Sequence, residues 1–150
     1  CKVGEVNAST MMQEVGAVIG GEGNGGVIVP DLHYGRDALI GVALFLSNLA
    51  HKKLSATALR ATYPDYSVSK NRIEMSDPAR IGAALEAVEK HFAGAAVNKM
   101  DGLRIDFEDA RKWFVLRKSN TEPIIRIYAE APTEADADAL AQEVMQVINR

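Results

Sequence analysis

The segment with the clearest chemical potential is the ten-residue stretch Arg117 to Arg126, RKSNTEPIIR. Five basic residues and one acidic residue lie between Arg111 and Arg126, a local excess of four positive charges in a chain of net charge −3. If residues 112–118 form a strand, Arg117 and Ser119 project from the same side. A guanidinium and a hydroxyl would then meet at the mouth of a turn, an arrangement that suits an anion.

Asn120 and Thr121 add an amide and a second hydroxyl to this turn, and its backbone N–H groups can converge on an anion. The segment therefore predicts an anion site. The alternative is an ordinary polar hairpin turn, whose Ser, Asn and Thr side chains bond their own backbone while the basic side chains are solvated. Spacing by itself leaves both interpretations open.

A second candidate is the glycine-rich segment 20–26, GGEGNGG. Its glycines let the backbone approach a ligand closely, and Glu22 and Asn24 offer a carboxylate and a carboxamide to vicinal hydroxyls. Those groups suit a sugar. A nucleotide fingerprint is not indicated, because the segment lies between two predicted strands and has no P-loop lysine. The alternative is a flexible hairpin loop.

Other residues give weaker signals. The three histidines (His33, His51 and His91) are too far apart in sequence to predict a metal site. The only cysteine, Cys1, allows no internal disulfide, so a reducing, cytoplasmic setting is expected. The net charge of −3 argues against nucleic acid or an anionic membrane as a partner. Lys2 alone would be an ordinary surface lysine.

The elements that must position these loops divide at Tyr63-Pro64-Asp65, where a Pro-Asp step breaks a helix. Residues 1–64 read as a mixed α/β segment. The predicted elements are a helix over 6–15, strands at 17–19 and 27–29, a helix from an Asp37 N-cap to about His51, and a helix starting at Ser55. The apolar run 38–46 is about half the roughly 20 residues that span a bilayer, and it predicts a buried helix.

Residues 65–150 predict an antiparallel sheet with helices packed on it, an α+β plan. Predicted strands cover residues 66–75, 102–105, 112–118 and 124–130. Asp77-Pro78 starts a helix whose apolar face carries Ile81, Leu85, Val88 and Phe92. Thr133 and Asp136 resemble a capping box for a final helix that buries Leu140, Val144, Val147 and Ile148. Trp113 and Phe114 lie on opposite faces of a strand, with at least one in the core.

Together these segments resemble the α-D-phosphohexomutase family. Residues 2–5, KVGE, resemble the lysine-containing loop of that family's third domain, and residues 21–26 resemble its sugar-specificity loop. Residues 117–123, RKSNTEP, are similar to its phosphate-binding loop in the fourth domain. The resemblance covers essentially the whole chain, with the motifs in the family's order.

The resemblance implies a role for each of seven residues. Lys2 would contact substrate, and Glu22 and Asn24 would hold the sugar hydroxyls. The phosphate that is not transferred would be held by Arg117, Ser119, Asn120 and Thr121. The chain departs from the commonest bacterial form of the sugar loop, in which serine and histidine stand at the places of Asn24 and Gly26.

The resemblance also implies which parts of the enzyme lie elsewhere. The family transfers phosphoryl groups through a phosphoserine in its first domain, with Mg²⁺ held by an aspartate-rich loop in its second. Neither motif occurs here, and residues 101–104, DGLR, have one aspartate where several oxygen ligands are needed. The segment is therefore expected to hold no catalytic residue and no metal.

The implied protein is an intramolecular phosphotransferase that interconverts hexose 1-phosphate and 6-phosphate. Residues 1–64 would be the end of its mixed α/β third domain, and residues 65–150 its TATA-binding-protein-like fourth domain. Its partners would be the hexose phosphate and the N-terminal domains of the same protein, and the chain, which opens at Cys1 without a methionine, would be an inactive fragment. The alternatives are a phosphoglucosamine mutase fragment and a stand-alone phosphosugar-binding module.

Overall fold

The chain forms two compact units, Cys1–Tyr63 and Pro64–Arg150. The computed structural model describes residues 1–75, 77, 79–119 and 122–150. Each unit is considered by itself. In the part of the chain that the structure describes, no helix is long and apolar enough to cross a membrane.

The first unit combines three helices with one short pair of strands. Its elements are α1 (Glu5–Val15), β1 (Gly20–Gly21), β2 (Val27–Ile28), α2 (Ala38–Lys52) and α3 (Ala56–Arg60). Strands β1 and β2 are antiparallel, with Gly20 opposite Ile28. The predicted helix over 6–15 is confirmed, and it ends at Gly16, whose φ of 64° is the left-handed conformation common after a helix.

The two predicted helix starts in this unit are confirmed by their capping bonds. Asp37 Oδ1 accepts hydrogen bonds from the backbone N–H groups of Leu39 (2.8 Å) and Ile40 (3.1 Å). Ser55 Oγ accepts one from Ala58 N–H at 3.2 Å. These bonds satisfy N–H groups that have no partner within the helix.

The strand predicted at 17–19 is wrong. Pairing begins instead at Gly20, and the partner β2 ends at Ile28, after which Val29 bridges back to His33. No paired segment is therefore left opposite 17–19. A β-branched run becomes a strand only when a neighbouring strand takes up its backbone hydrogen bonds.

The buried helix predicted from the apolar run 38–46 is also wrong, because α2 has no buried residue. Leu39 is 81% exposed and Phe45 is 46% exposed. The buried cluster in this unit consists of Ala8, Met12 and Ile28. The sequence predicted a helix correctly, but burial also requires a surface to pack against, which this small cluster does not provide.

The second unit is a five-stranded antiparallel sheet with two helices. Its elements are β3 (Ser67–Glu74), α4 (Ala79–His91), β4 (Ala96–Asn98), β5 (Leu103–Phe107), β6 (Lys112–Lys118), β7 (Ile124–Ala131) and α5 (Glu134–Ile148). The strand order is β3-β7-β6-β5-β4. The predicted α+β plan is confirmed. Strand β4 was not predicted, since its three residues are all exposed and carry no alternating pattern.

Both helices of this unit pack on one face of the sheet. The core lies between them and the alternate residues of the central strands that point to that side, such as Phe114, Leu116, Ile125 and Ile127, each 0% exposed. The predicted apolar faces of the two helices are confirmed. Phe114 is the core member of the Trp113-Phe114 pair. The other face of the sheet is turned away from the helices.

The final helix begins as predicted. Thr133 Oγ1 accepts a hydrogen bond from Asp136 N–H at 3.2 Å and donates one to the Asp136 carboxylate at 2.6 Å. The start predicted for α4 is only partly visible, because Pro78 lies outside the described residues. Asp77 is described, and its carbonyl accepts a hydrogen bond from Arg80 N–H at 3.1 Å.

Candidate functional site

The first unit brings the lysine-containing segment and the glycine-rich loop together. Glu22 Oε1 accepts a hydrogen bond from Gly4 N–H at 2.7 Å. Glu22 Oε2 lies 3.4 Å from Asn24 Nδ2, and Asn24 Oδ1 accepts from Gly26 N–H at 3.0 Å. Glu22 thus ties the loop to the backbone two residues after Lys2, which is itself exposed. The loop is an organised structure whose polar side chains already point at backbone donors.

Arg36, which directly precedes the Asp37 N-cap of α2, is a further residue of this region. Its backbone N–H and its Nε donate to the two carboxylate oxygens of Glu5, at 3.0 and 2.8 Å. A Cβ built on Gly26 would lie 2.3 Å from Arg36 Cδ. Arg36 therefore occupies the space beside the loop where the commoner form of the motif has a histidine. A pairing 31 residues apart in sequence leaves no local signal.

Two carboxylates of this unit have pKa values lowered from their ordinary range. The pKa of Glu5 is lowered first by the hydrogen bond from Arg36 N–H, and then by the Arg36 side chain. The pKa of Asp37 is lowered first by the Ile40 N–H and then by the His33 ring, whose Nε2 is 3.2 Å from Asp37 Oδ2. Both carboxylates are therefore negatively charged at neutral pH and hold the start of α2 in place.

In the second unit, Arg117 stands at the end of β6 and is held by a carboxylate. Its Nη2 lies 3.2 Å from Asp101 Oδ2, and both side chains are about 30% exposed. Gly102, with φ of +91°, lets the Asp101 segment approach β6, since a Cβ there would be 2.1 Å from Leu116 O. Asp101 is a partner of Arg117 that the sequence did not reveal. Asp101, the one aspartate of the segment 101–104 that was compared with a metal loop, therefore pairs with an arginine.

Ser119 closes the turn between β6 and β7. Its N–H donates to Ile124 O at 3.0 Å, and its Oγ accepts from Glu122 N–H at 3.3 Å. The side chain is buried, with 8% exposure. The Glu122 carboxylate reaches Arg126 Nη2 at 3.4 Å. The hydroxyl predicted to hold phosphate is thus part of the turn's own hydrogen bonding, as the alternative interpretation expects.

The seven predicted site residues fall in two groups. Lys2, Glu22 and Asn24 lie in the first unit, and Arg117 and Ser119 lie in the second. The other two, Asn120 and Thr121, lie outside the described residues. Arg117 is directly opposite Arg126 on β7, a basic neighbour that the sequence prediction left out of the site.

Magnesium, which the resemblance places elsewhere in the protein, does not fit the residues present here. Among residues 1–75, 77, 79–119 and 122–150, no group of three or more His, Cys, Asp or Glu side chains could hold a metal ion. His33 and His91 are instead engaged with Asp37 (3.2 Å) and Glu143 (3.0 Å). No catalytic step is assigned to a metal on this chain.

Comparison with known families matches nearly the whole chain. Residues 1–66 match the phosphoglucomutase/phosphomannomutase α/β/α domain III, and residues 71–147 match the phosphoglucomutase/phosphomannomutase C-terminal domain. The second match covers just over half of the chain on its own. The order of the two matches is the order that the motifs predicted.

Three relatives illustrate the similarity. The phosphoglucosamine/phosphogalactosamine mutase of Sulfurisphaera tokodaii is 32% identical over 98% of this chain and 32% of its own length. The phosphoglucomutase/phosphomannomutase of Thermococcus kodakarensis is 36% identical over 91% of this chain and 29% of its own length. A crystal structure of a phosphoglucomutase/phosphomannomutase family protein from Burkholderia thailandensis is 26% identical, with a TM-score of 0.72, over 98% of this chain and 31% of that protein.

These figures agree with one another in two respects. The similarity runs along almost the entire chain, and the chain spans about a third of the length of the relatives it matches. The fold of both units and the order of the motifs are consistent with this. The chain belongs to the phosphoglucomutase/phosphomannomutase family, of which it carries the C-terminal part.

Proposed function

We propose that this chain is the substrate-binding C-terminal part of a phosphohexomutase that interconverts hexose 1-phosphate and hexose 6-phosphate. Residues 1–64 belong to its third domain and hold the sugar, and residues 65–150 form its fourth domain and hold the phosphate that is not transferred. The observation that carries the proposal is the turn after β6, where Arg117, fixed by Asp101, stands beside Arg126 in an otherwise acidic chain. Paired guanidinium groups suit a phosphate dianion.

The glycine-rich loop supports the sugar half of the proposal. Glu22 and Asn24 are held in fixed positions by Gly4, Gly26 and each other. A carboxylate that already accepts one N–H retains further lone pairs, which can accept sugar hydroxyls. Lys2, next to the segment that Glu22 bonds, would add a positive charge on the same side of the loop. The mechanistic role of the loop is to orient the sugar while chemistry occurs elsewhere.

The exposed apolar surface of α2 supports the view that the first unit is completed by other residues. Leu39, Val42 and Leu46 are each more than half exposed, which is unusual for large apolar side chains on one helix. An α/β/α domain buries such a helix against a sheet. We infer that upstream residues of a longer protein provide that sheet, together with a phosphoserine and the Mg²⁺ ligands. The longer protein acts on its substrates in the cytoplasm.

Two classes of hexose phosphate are candidate substrates. The similarity to a phosphoglucosamine/phosphogalactosamine mutase favours an amino sugar phosphate as a second candidate substrate beside glucose and mannose phosphates. The amino sugar carries an amine at carbon 2, where glucose and mannose carry a hydroxyl in opposite configurations. Glu22 and Asn24 are the side chains that would distinguish these groups.

An activity assay tests the proposal in two parts. The 150-residue chain alone should show no turnover of glucose 1-phosphate above a buffer control, because it lacks the proposed nucleophile. In the longer protein, Glu22→Ala should lower kcat/KM for all three sugar phosphates, and Asn24→Ser should change their relative values. Turnover by the chain alone, or equal rate profiles for wild type and both variants, would contradict it.

A further inference from the structure

A row of three arginines crosses the sheet face that is turned away from α4 and α5. Arg117 on β6 is directly opposite Arg126 on β7, and Arg126 is directly opposite Arg72 on β3. Residues opposite each other in neighbouring antiparallel strands share a face, with Cα atoms about 4.5–5.5 Å apart. The three side chains therefore leave the sheet side by side. The row begins at the turn that carries Ser119.

Another arginine on this face is neutralised within the sheet. Arg104 forms a bidentate pair with Asp106 (2.6–3.0 Å) and lies 4.2 Å from the centre of the Trp113 ring. Trp113 Nε1 donates to Glu130 Oε1 at 2.8 Å. Like charges placed directly opposite one another destabilise a sheet, so an arrangement with internal carboxylate partners is the ordinary solution.

The arginines of the row differ in how closely a carboxylate approaches them, and the approach is weakest at β3. Arg117 has Asp101 at 3.2 Å, and Arg126 has Glu122 at the longer distance of 3.4 Å, with both side chains about half exposed. Arg72 is exposed, and among the residues that the structure describes no carboxylate lies within ion-pair distance of it. Glu74 shares the face of Arg72 but makes no ion pair with it. Positive charge is thus concentrated at the β3 end of the row.

A surface depression of about 370 Å³ lies at this end of the row. Its lining includes Lys70, Arg72, Glu122, Arg126 and Tyr128. This volume is at the small end of the range of about 300–1,000 Å³ for sites that bind small molecules. Glu122 belongs to the turn, so the depression is continuous with the predicted phosphate site. Its lining offers three cations and a tyrosine hydroxyl to a ligand.

We propose that Arg72 is a further phosphate-binding residue and that the phosphate lies over the arginine row, between the turn and β3. The inference rests on the proposed function of the turn and extends its site by one strand. A phosphate dianion would offset the mutual repulsion of three adjacent guanidinium groups, which a neutral sugar could not do. Each planar guanidinium can also engage two phosphate oxygens. Lys70, one row further along β3, adds a point charge at the rim.

Titration of inorganic phosphate into the isotope-labelled 150-residue protein tests this. The dissociation constant is read from the amide signals of Arg117 and Arg126, for wild type and for Arg72→Gln, Arg117→Gln and Arg80→Gln. Arg80 is another exposed arginine, in the first turn of α4 and outside the row. Arg72→Gln should raise the dissociation constant about threefold to fivefold, the size of one exposed ion pair. Arg80→Gln should leave it unchanged, and Arg72→Lys should give an intermediate value.

The outcomes separate this inference from the function it rests on. If Arg117→Gln weakens phosphate binding but Arg72→Gln behaves like Arg80→Gln, the role of Arg72 is overturned and the phosphate turn stands. If wild type shows no phosphate-dependent shift near residue 117, both fail. If Arg80→Gln weakens binding as much as Arg72→Gln, attraction is nonspecific and the inference is overturned. Equal melting temperatures of the variants show that each difference reflects binding and not folding.

Discussion

The two units differ greatly in the size of their buried apolar core. In the second unit, sixteen of the residues that the structure describes form one buried cluster between the sheet and its two helices. In the first unit, the corresponding cluster within the described chain has three members, Ala8, Met12 and Ile28. Burial of apolar surface is the main favourable term in folding. The second unit therefore has the means to be stable by itself, whereas the three-member cluster of the first contributes far less of this term.

The two units also differ in how they position the side chains of the candidate sites. Arg117 extends from a central strand whose core-facing residues Phe114 and Leu116 are fully buried, so its position is set by the core of the second unit. Glu22 is placed by a hydrogen bond to Gly4 and by a two-residue strand pair. A guanidinium on a rigid strand is positioned before ligand arrives. The sugar loop is positioned mainly by local hydrogen bonds, which are weaker when exposed to water.

The largest expected effect comes from truncating an aromatic side chain in each unit. Phe114→Ala removes a fully buried ring and should lower the free energy of unfolding of the second unit by about 3–5 kcal/mol. The matched change Phe45→Ala removes a ring that is 46% exposed on α2 and should change stability by less than about 0.5 kcal/mol. Urea unfolding measures both. A large loss in Phe45→Ala would show that α2 is buried in solution and would break the comparison.

A smaller effect is expected at the helix caps. Thr133→Ala removes the cap of α5 and should lower the unfolding free energy of the second unit by about 1 kcal/mol. Ser55→Ala removes the cap of the five-residue helix α3 and should leave the unfolding of the second unit unchanged. Thermal unfolding, followed by the fluorescence of Trp113 in the second unit, distinguishes the two. An equal shift in both variants would mean that the units unfold as one.

The smallest effect is a dependence on pH that arises at Glu5 and Asp37 of the first unit. Glu5 and Asp37 have lowered pKa values in the folded state, so their stabilising contribution is present above their ordinary values of 4.5 and 3.8. It is lost as pH falls through the lower folded values. Below about pH 4, amide exchange at Leu39 and Ile40 should therefore quicken before exchange in β6.

Asp37→Asn is the control for this pH effect. The amide oxygen of asparagine can still accept from Leu39 and Ile40 N–H, but it does not titrate in this range. The part of the acid-induced change that is due to Asp37 should disappear in this variant, leaving that of Glu5. An unchanged acid response would assign the effect to other groups.

Local sequence signals predicted those features that depend on neighbouring residues. The N-caps at Asp37, Ser55 and Thr133 were predictable because a capping side chain bonds N–H groups only two or three residues away. The limits of β6 were predictable because its apolar run, residues 113–116, is flanked by basic residues and followed by a turn segment. The site motifs were also recognisable in the sequence, because each is a short contiguous segment.

Features that depend on distant residues required the tertiary structure. The segments that lie opposite decide whether residues 17–19 pair and whether α2 is buried. The local patterns predicted a strand and a buried helix, and both predictions were wrong. Three contacts join segments that are 16 to 54 residues apart in sequence. They are the pairing of Arg36 with Glu5, the pairing of Asp101 with Arg117, and the alignment of Arg72 with Arg126. The sequence predicted which groups could bind a phosphosugar. Only the folded chain decided which of them stand together, because strand register, not spacing along the chain, sets the distance between side chains.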